Sequence, residues 1–475
     1  MTSFDLTRSQ EIIWLHEELF PSSHAYNFSA VLELKGPLDE NALRRSLAEV
    51  LDRHAGLRLE LVGDGLPPRQ RVSPVCTPRY RSLDLSGSPA AETEFAEVLA
   101  AQHGTAFDLT EAPLIRWCLV RMGADDHRLV HTEHHLIHDG WSFGIVLRDL
   151  FTVYRSRVGG AAADLPAPRP FTDHVSDLGA DGPGRPTADR AALGHWRSAL
   201  DGAAFDLPFP AAGPGPRVRD DITGGQVRQE LDPVLAERLR VTARRDGHTP
   251  YVVLLTLFGE LLRRLTGRAD LVIGSAVGNR PPGFGETVGM FVNTIPLRLR
   301  LCPDGPGLDA ADDTAEVLLR ALPHQHIAVQ DLARELGVRS RTGLDTPLFQ
   351  VMFSAHDAPL PVIEGLGLDV TVHEAFNAGT SRFDLDVVLI PDSRRTVNPR
   401  VEAVGGMILL WDHAADLFDR ADIECLQALF AELLKDYLRD PAAPLRSLAP
   451  DVPSALDVPS ALARARGPQL PQTPV

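Results

Sequence analysis

Two successive runs of alternating strand-type and helix-type patterning, joined by a stretch rich in Gly, Pro, Ala and Asp between Gly159 and Pro186, constrain this fold more than any other feature. Before the stretch, Gln10 to Leu19 begins a helix and Phe28 to Leu34 alternates apolar and polar residues as a strand does. Glu40 to His54 places Leu43, Leu47, Val50 and Leu51 at helical spacing. Ala91 to His103 reads as a helix, Leu114 to Val120 and His127 to Glu133 as strands, and Ser142 to Tyr154 as a helix with Ile145, Val146 and Leu150 on one face. After it, strands are expected at Gln226 to Leu231, Asp270 to Ala276, Thr294 to Leu301, Val351 to Ala355 and Leu385 to Ile390. The expected helices are Pro233 to Arg245, Pro250 to Leu265, Ala310 to His324 and Ile423 to Tyr437. Alternation of this kind predicts an α/β (α+β) fold. The chain has 475 residues, and single cores stop growing near about 250–300 residues. Two domains are therefore expected, 1–175 and 176–448, followed by a Pro- and Ala-rich tail, 449–475. The tail carries a direct repeat, Asp451-Val452-Pro453-Ser454-Ala455-Leu456 then Asp457-Val458-Pro459-Ser460-Ala461-Leu462; its composition is that of a disordered segment, with a short docking segment as the competing reading.

Composition narrows the function. Hydrophobic residues make up 44% and charged residues 23%, as in ordinary soluble domains. No apolar run approaches the roughly 20 residues that span a bilayer, and Met1 to Leu15 lacks the apolar stretch of a signal peptide. A cytoplasmic protein without membrane contact is expected. The net charge of −17 argues against nucleic acid as a general partner. Only Lys35 and Lys435 are lysines, so arginine carries nearly all the positive charge. Cys76, Cys118, Cys302 and Cys425 are scattered without a C-x-x-C pair and are expected to be reduced, buried small hydrophobes.

The densest chemical signal is His131-Thr132-Glu133-His134-His135-Leu136-Ile137-His138-Asp139-Gly140-Trp141-Ser142. On a helix, His134 and His138 would share a face and could ligate zinc. The residues before them alternate like a strand, however, and Asp139-Gly140 is a turn signal. A third ligand at the usual spacing is also missing. The segment reads instead as the polar end of a strand that turns into a helix, with no metal.

That segment, His134-His135-x-x-x-Asp139-Gly140-Trp141-Ser142, resembles the central signature of the condensation domains of nonribosomal peptide synthetases. Further motifs of the same family occur in order. Ser9-Gln10 with Trp14-Leu15 and Arg53-His54 with Leu57-Arg58 resemble the first two. Phe107-Asp108-Leu109 and Pro113-Leu114-x-Arg116 are similar to the lead-in. Gly274 through Asn279-Arg280 and Val288-Gly289-Met290-Phe291-Val292-Asn293-Thr294 resemble the bridging motifs. His324-Gln325, Pro347-Leu348-Phe349-Gln350 and Arg382-Phe383-Asp384-Leu385 complete the set. The chain departs from the pattern in lacking an arginine near Ile12, in Leu59 after Arg58, in the absence of aromatics after Phe171-Thr172-Asp173, and in Ala328-Val329 after the His-Gln element.

The resemblance implies two chloramphenicol acetyltransferase-like lobes in a V-shaped arrangement, with an active-site tunnel between them and bridging and latch segments in the C-terminal half. It implies an acyltransferase that joins a thioester-bound acyl group to an amine or alcohol acceptor. By this resemblance His135 is catalytic and assists removal of the nucleophile's proton; an unperturbed imidazole titrates near about 6.5, which suits the task. The Gly140 N–H is expected to help hold the developing oxyanion. His134 is expected to support the loop, Asp139 to pair with Arg280 across the lobes, and Trp141 to pack. No cofactor is expected to be bound, because the substrate arrives on the phosphopantetheine arm of an acyl or peptidyl carrier protein. The acceptor is a small molecule or is itself carrier-bound. With no adenylation signature and no Gly-Gly-x-Ser attachment site in the chain, a free-standing monomer that receives its donor in trans is expected. Arg8, Arg53 and Arg58 are candidates for a basic contact with the carrier. An acyltransferase that uses soluble CoA thioesters and a noncatalytic docking module are the competing readings.

Overall fold

A computed structural model of the chain describes residues 2–21, 23–160, 162–180, 188–209, 221–339, 347–374, 376–377, 379–392, 395–397 and 405–448. The tail at 449–475 and its repeat lie outside the described residues. The molecule is mixed α/β, with two six-stranded sheets, one in each of two lobes.

In the first sheet the order is Arg395–Thr396, Asp369–Glu374, Asn27–Lys35, Asp126–His134, Ile115–Arg121, Arg79–Asp84. Asn27–Lys35 and Asp126–His134 run antiparallel at its centre, with Asn27 opposite His134. In the second sheet the order is Asn293–Arg300, Asp270–Val277, Val351–Ala355, Leu385–Ile390, Met407–Ala414, Gly224–Leu231. Val351–Ala355 is parallel to both of its neighbours, and the other pairs are antiparallel. A small third sheet joins Ser3–Phe4, Arg69–Val72 and Leu59–Val62.

Helix boundaries follow local chemistry. Asp232 accepts from the N–H groups of Val234 and Leu235, and Pro233 opens its helix where a missing N–H costs nothing. Thr249 caps Pro250–Thr266, which Gly267 ends in the left-handed conformation. Among the described residues, no helix is long and apolar enough to cross a membrane.

Each lobe has its own apolar core, and chain from the second half enters the first. Phe284, Val288, Met290 and Phe291, and later Leu366, Leu368, Val370 and Val372, pack with Leu43, Leu47, Leu147 and Phe151. The contact is close: a side chain at Gly289 would collide with the Phe171 ring, and one at Gly56 with the Val288 carbonyl. The Gly- and Pro-rich stretch is therefore not all linker. It contains the helix Phe171–Ala180, which buries Phe171 and Val175 in the first core, so the division expected after residue 175 falls inside a helix. The cysteine expectation needs correction too. Cys118 is buried and Cys76 half-buried, but Cys302 and Cys425 are exposed. Cys302 sits in the turn after Asn293–Arg300. Cys425 lies on the outer face of Arg420–Arg439, whose inner face carries Ile423, Leu426 and Phe430.

Candidate active site

The central strand Asp126–His134 ends in a single 3-10 turn, His135–Ile137, and the helix Gly140–Gly159 begins three residues later. His134 thus closes a strand and His138 follows the turn in extended conformation, so the two never share a helical face. The turn is anchored on three sides. The His135 N–H donates to the Tyr26 carbonyl at 2.8 Å, the Leu136 carbonyl accepts from Gln10 Nε2 at 3.0 Å, and Leu136 and Ile137 are fully buried. Ser9 and Gln10, read from the first motif, act here: Ser9 Oγ donates to the Val292 carbonyl of the bridging segment at 2.9 Å.

His135 lines a cavity of about 400 Å3 between the lobes. Its Nδ1 lies 3.0 Å from the His138 carbonyl. A carbonyl only accepts, so Nδ1 carries the proton. Burial, the neighbouring His138 ring and Arg382 push the imidazole down to about 3. The ring is therefore neutral at neutral pH, and with Nδ1–H committed, Nε2 is left with a lone pair.

His134 Nδ1 accepts from the Leu136 N–H at 3.2 Å and its Nε2 lies 3.7 Å from Glu17. Behind it is a buried polar cluster that sequence reasoning did not assign. Trp117 Nε1 donates to His131 Nδ1 at 3.0 Å, and Glu133 Oε1 lies 2.9 Å from His131 Nε2 and 2.8 Å from His138 Nδ1. Burial pushes the Glu133 carboxyl up, but His138 and His131 more than offset this and hold it well below the usual range. His138 also stacks on Phe28, with centroids 4.8 Å apart. The available signal was strand periodicity, which puts His131 and Glu133 on one face of Asp126–His134.

Asp139 does two jobs. Its Oδ1 caps the helix, accepting from the Ser142 N–H at 2.8 Å and Oγ at 2.7 Å. The same carboxylate takes Arg280 Nη2 at 2.8 and 3.1 Å and the Phe291 N–H at 3.1 Å. Arg280 is held in turn by the Phe284 and Thr287 carbonyls and lies 4.0 Å over the Phe291 ring. Its neighbour Asn279 takes a left-handed φ of 40°. Gly140 is the first helical residue, where the N–H has no intrahelical acceptor, and the space beside it is open. Trp141 departs from expectation. It is 49% exposed at the cavity rather than packed, because its Nε1 reaches out to the Gly285 carbonyl at 2.9 Å.

Arg53 and His54, from the second motif, both hold Asp149 of the helix that follows the turn, at 2.8 and 2.9 Å. The arginines expected to form a basic docking patch are committed within the chain. Arg8 pairs with Glu11 at 2.7 Å and Asp331 at 3.4 Å, Arg53 with Asp149 and the Pro166 carbonyl, and Arg58 with the Ser73 and Asp52 carbonyls.

The second lobe supplies the opposite wall. Met352, Ser354, His356, Arg382 and Asp386 all line the cavity. Burial pushes His356 down to about 4. A second cavity, of about 680 Å3, adjoins the first and shares Ile12, Tyr26, Val329, Arg382 and Phe383 with it.

Comparison with known proteins matches this architecture. The family model for the condensation domain covers residues 2–452. Phosphinothricin tripeptide synthetase PhsC of Streptomyces viridochromogenes is 31% identical over 93% of this chain, which spans 40% of that protein. Malpinin synthetase of Mortierella alpina is 28% identical over 88% of this chain, which spans 5% of that protein. Among solved structures, the first condensation domain of the calcium-dependent antibiotic synthetase, in complex with a substrate analogue, superposes with a TM-score of 0.80 at 23% identity, covering 94% of this chain and 99% of that one. A mutant starter condensation domain of rhizomide synthetase RzmA, in complex with C8-CoA, gives 0.80 at 20% identity, covering 94% and 97%. Motif order, two-lobed fold and family match agree: the chain belongs to the condensation-domain family of nonribosomal peptide synthetases, a family of acyltransferases that form amide bonds.

Proposed function

We propose that the cavity at His135 transfers an acyl or aminoacyl group from a phosphopantetheine thioester on a carrier protein to an amine acceptor. The observation that carries this reading is the neutral His135, its Nδ1–H held by the His138 carbonyl, beside the first N–H of the helix at Gly140. The amine attacks the thioester carbonyl, a C–N bond forms, and the oxygen gains negative charge. The Gly140 N–H, at the positive end of the helix, stabilises that charge. A ring whose basicity is this far depressed is a poor base toward a free amine. It orients the nucleophile by accepting a hydrogen bond at Nε2. It takes the proton once bonding to carbon has made the nitrogen acidic. The C–S bond then breaks and the thiol leaves with a proton.

His134, Asp139 and Arg280 act by position. They hold the turn and the helix start against the second lobe, so that His135 and Gly140 face one reacting carbon. The adjoining cavity suits the pantetheine arm: Ile12, Val329 and Phe383 give apolar wall, and exposed Arg8 and Arg334 stand at its side.

The test presents one acyl group on a carrier protein and on a short pantetheine thioester, with intact-mass detection of the product. A clear carrier advantage is expected. Equal rates from both donors would move the chain to the soluble-thioester reading.

A further inference from the structure

Two carboxylates stand on one face of the second sheet, on strands that are otherwise largely apolar. Asp386 of Leu385–Ile390 lies directly opposite Asp412 of Met407–Ala414 in the antiparallel register. Asp386 and Val388 line the cavity, while Leu385, Val387 and Leu389 enter the second lobe's core. Like charges directly opposite on one face repel, so each needs a partner. Asp412 has donors: the side-chain amides of Gln226 and Asn377 reach its Oδ1 at 3.0 and 2.6 Å. Asp386 has none among the described residues. Its Oδ1 is buried without a hydrogen-bond donor, and the residue is only 7% exposed. Arg382, four residues earlier, lies over the Tyr26 ring at 4.8 Å and acts on Asp386 only through space, without donating a hydrogen bond to it.

A buried carboxylate in this state gains its partner only from the cavity side, and a cationic donor supplies both the missing hydrogen bond and the opposite charge. We propose that Asp386 is the anionic subsite for an ammonium group that the substrate carries in addition to the reacting amine. This rests on the reading of the cavity as the acyl-transfer site, and it names the substrate class: a donor or acceptor with a second, cationic nitrogen. The reacting amine itself does not fit the subsite, because an ion pair would keep it protonated and remove the lone pair that must attack. Two sources supply a second ammonium, the α-ammonium of an aminoacyl donor and the distal ammonium of a diamine or diamino-acid acceptor.

The experiment has one arm for each source. In the first, pantetheine thioesters of an amino acid and of its desamino isostere compete for one neutral acceptor. In the second, a diamine and a monoamine of equal length compete for one acyl donor. In the arm that matches the natural source, the wild-type protein should favour the cationic member by about tenfold or more in kcat/KM, the scale of one charge-assisted hydrogen bond. Asp386→Asn should bring that ratio close to one, and Asp386→Glu should keep most of it. Wild-type ratios near one in both arms, with neutral substrates turned over, overturn the inference and leave the transfer reading standing. A preference that survives in Asp386→Asn overturns it as well, because the ammonium is then bound elsewhere. Absence of turnover with every donor, carrier-bound thioesters included, overturns the transfer reading and this inference with it. If Asp386→Asn melts before assay, the wild-type ratios and Asp386→Glu still decide the matter.

Discussion

On the first-lobe wall of the cavity, buried carboxylates are met by donors. Asp139 takes Arg280, a backbone N–H and the Ser142 hydroxyl, and Glu133 stands between His131 and His138. On the second-lobe wall, Asp386 faces another carboxylate across the strand pair and has no donor among the described residues. On the function proposed above, the first wall carries the reaction and so must be rigid before substrate arrives: its polar groups are spent on one another, which fixes the His135 ring and the helix start. The second wall keeps an unspent charge. In a protein interior such a charge is costly without a ligand and informative about the ligand that would remove the cost.

The sharpest way to break this comparison is to unpair the first wall. Asp139→Ala or Arg280→Ala leaves the other charge buried and alone, with side chains 1% and 10% exposed in the present pair. Each change is expected to cost about 3–5 kcal/mol in urea unfolding. The double variant should lose less than the two single losses added together, because the residues act as one unit. A single-variant loss under about 1 kcal/mol would show that the first wall is no better paired than the second.

The next effect separates chemistry from architecture. His135→Ala should lower turnover by about 100-fold or more, with a melting temperature near that of the parent protein, since the turn is also held by His134, Gln10 and the Tyr26 carbonyl. The pH profile sharpens the point. With His135 pushed down to about 3, the ring stays neutral above pH 5 and protonation of it should not slow the reaction between pH 5 and 7. Read with a neutral substrate in the Asp386→Asn variant, which removes the other cavity group titrating near 6, an acidic limb centred near pH 6.5 would contradict the depressed basicity.

Much of the first wall was legible in the sequence, because its chemistry is contiguous. His134, His135, Asp139 and Gly140 fall within seven residues, and strand patterning up to Glu133 followed by the Asp139-Gly140 turn was enough to reject the helical zinc arrangement. Arg280 came from motif order alone; no local pattern says that it crosses to Asp139. The second wall was illegible for a different reason. Its groups are spread over Val351–Ala355, Leu385–Ile390 and Met407–Ala414, and only the fold brings them together. A weak signal existed: Asp386 within Leu-Asp-Val-Val-Leu-Ile and Asp412 within Met-Ile-Leu-Leu-Trp-Asp are carboxylates in apolar strand runs, where a charge needs a reason. Met407–Ala414 itself went unassigned because a continuous apolar run lacks the period-two alternation of a half-buried strand. The Gly- and Pro-rich composition near residue 170 likewise hid the helix Phe171–Ala180, whose apolar residues are few but buried.

The smallest expected effect rests on the sign of each buried group's pH dependence. Burial, and for His135 the neighbouring His138, holds His135, His174 and His356 below the ordinary imidazole value of 6.5. The unfolded chain binds protons at these sites before the folded one does, so their contribution to stability declines as pH falls below about 6.5. Asp386 runs the other way. Burial pushes it up to about 6, with Arg382 opposing, from an ordinary 3.8, and burial together with Asp386 pushes Asp412 up to about 7. The folded state therefore holds these protons more tightly. The stability this gives is complete below about pH 4 and is lost as pH rises through 6 to 7. Asp386→Asn removes the titration and the repulsion on Asp412 together. The ligand-free variant should be more stable than its parent by about 1–3 kcal/mol at pH 8, and the difference should vanish near pH 4. Because each comparison is made at one pH between two chains that differ at one residue, the histidine contributions cancel. Paired urea titrations at pH 4, 6 and 8 would show it. A variant less stable than the parent at pH 8 would mean that the carboxylate already has its partner in the free protein, and the difference between the two walls would then disappear.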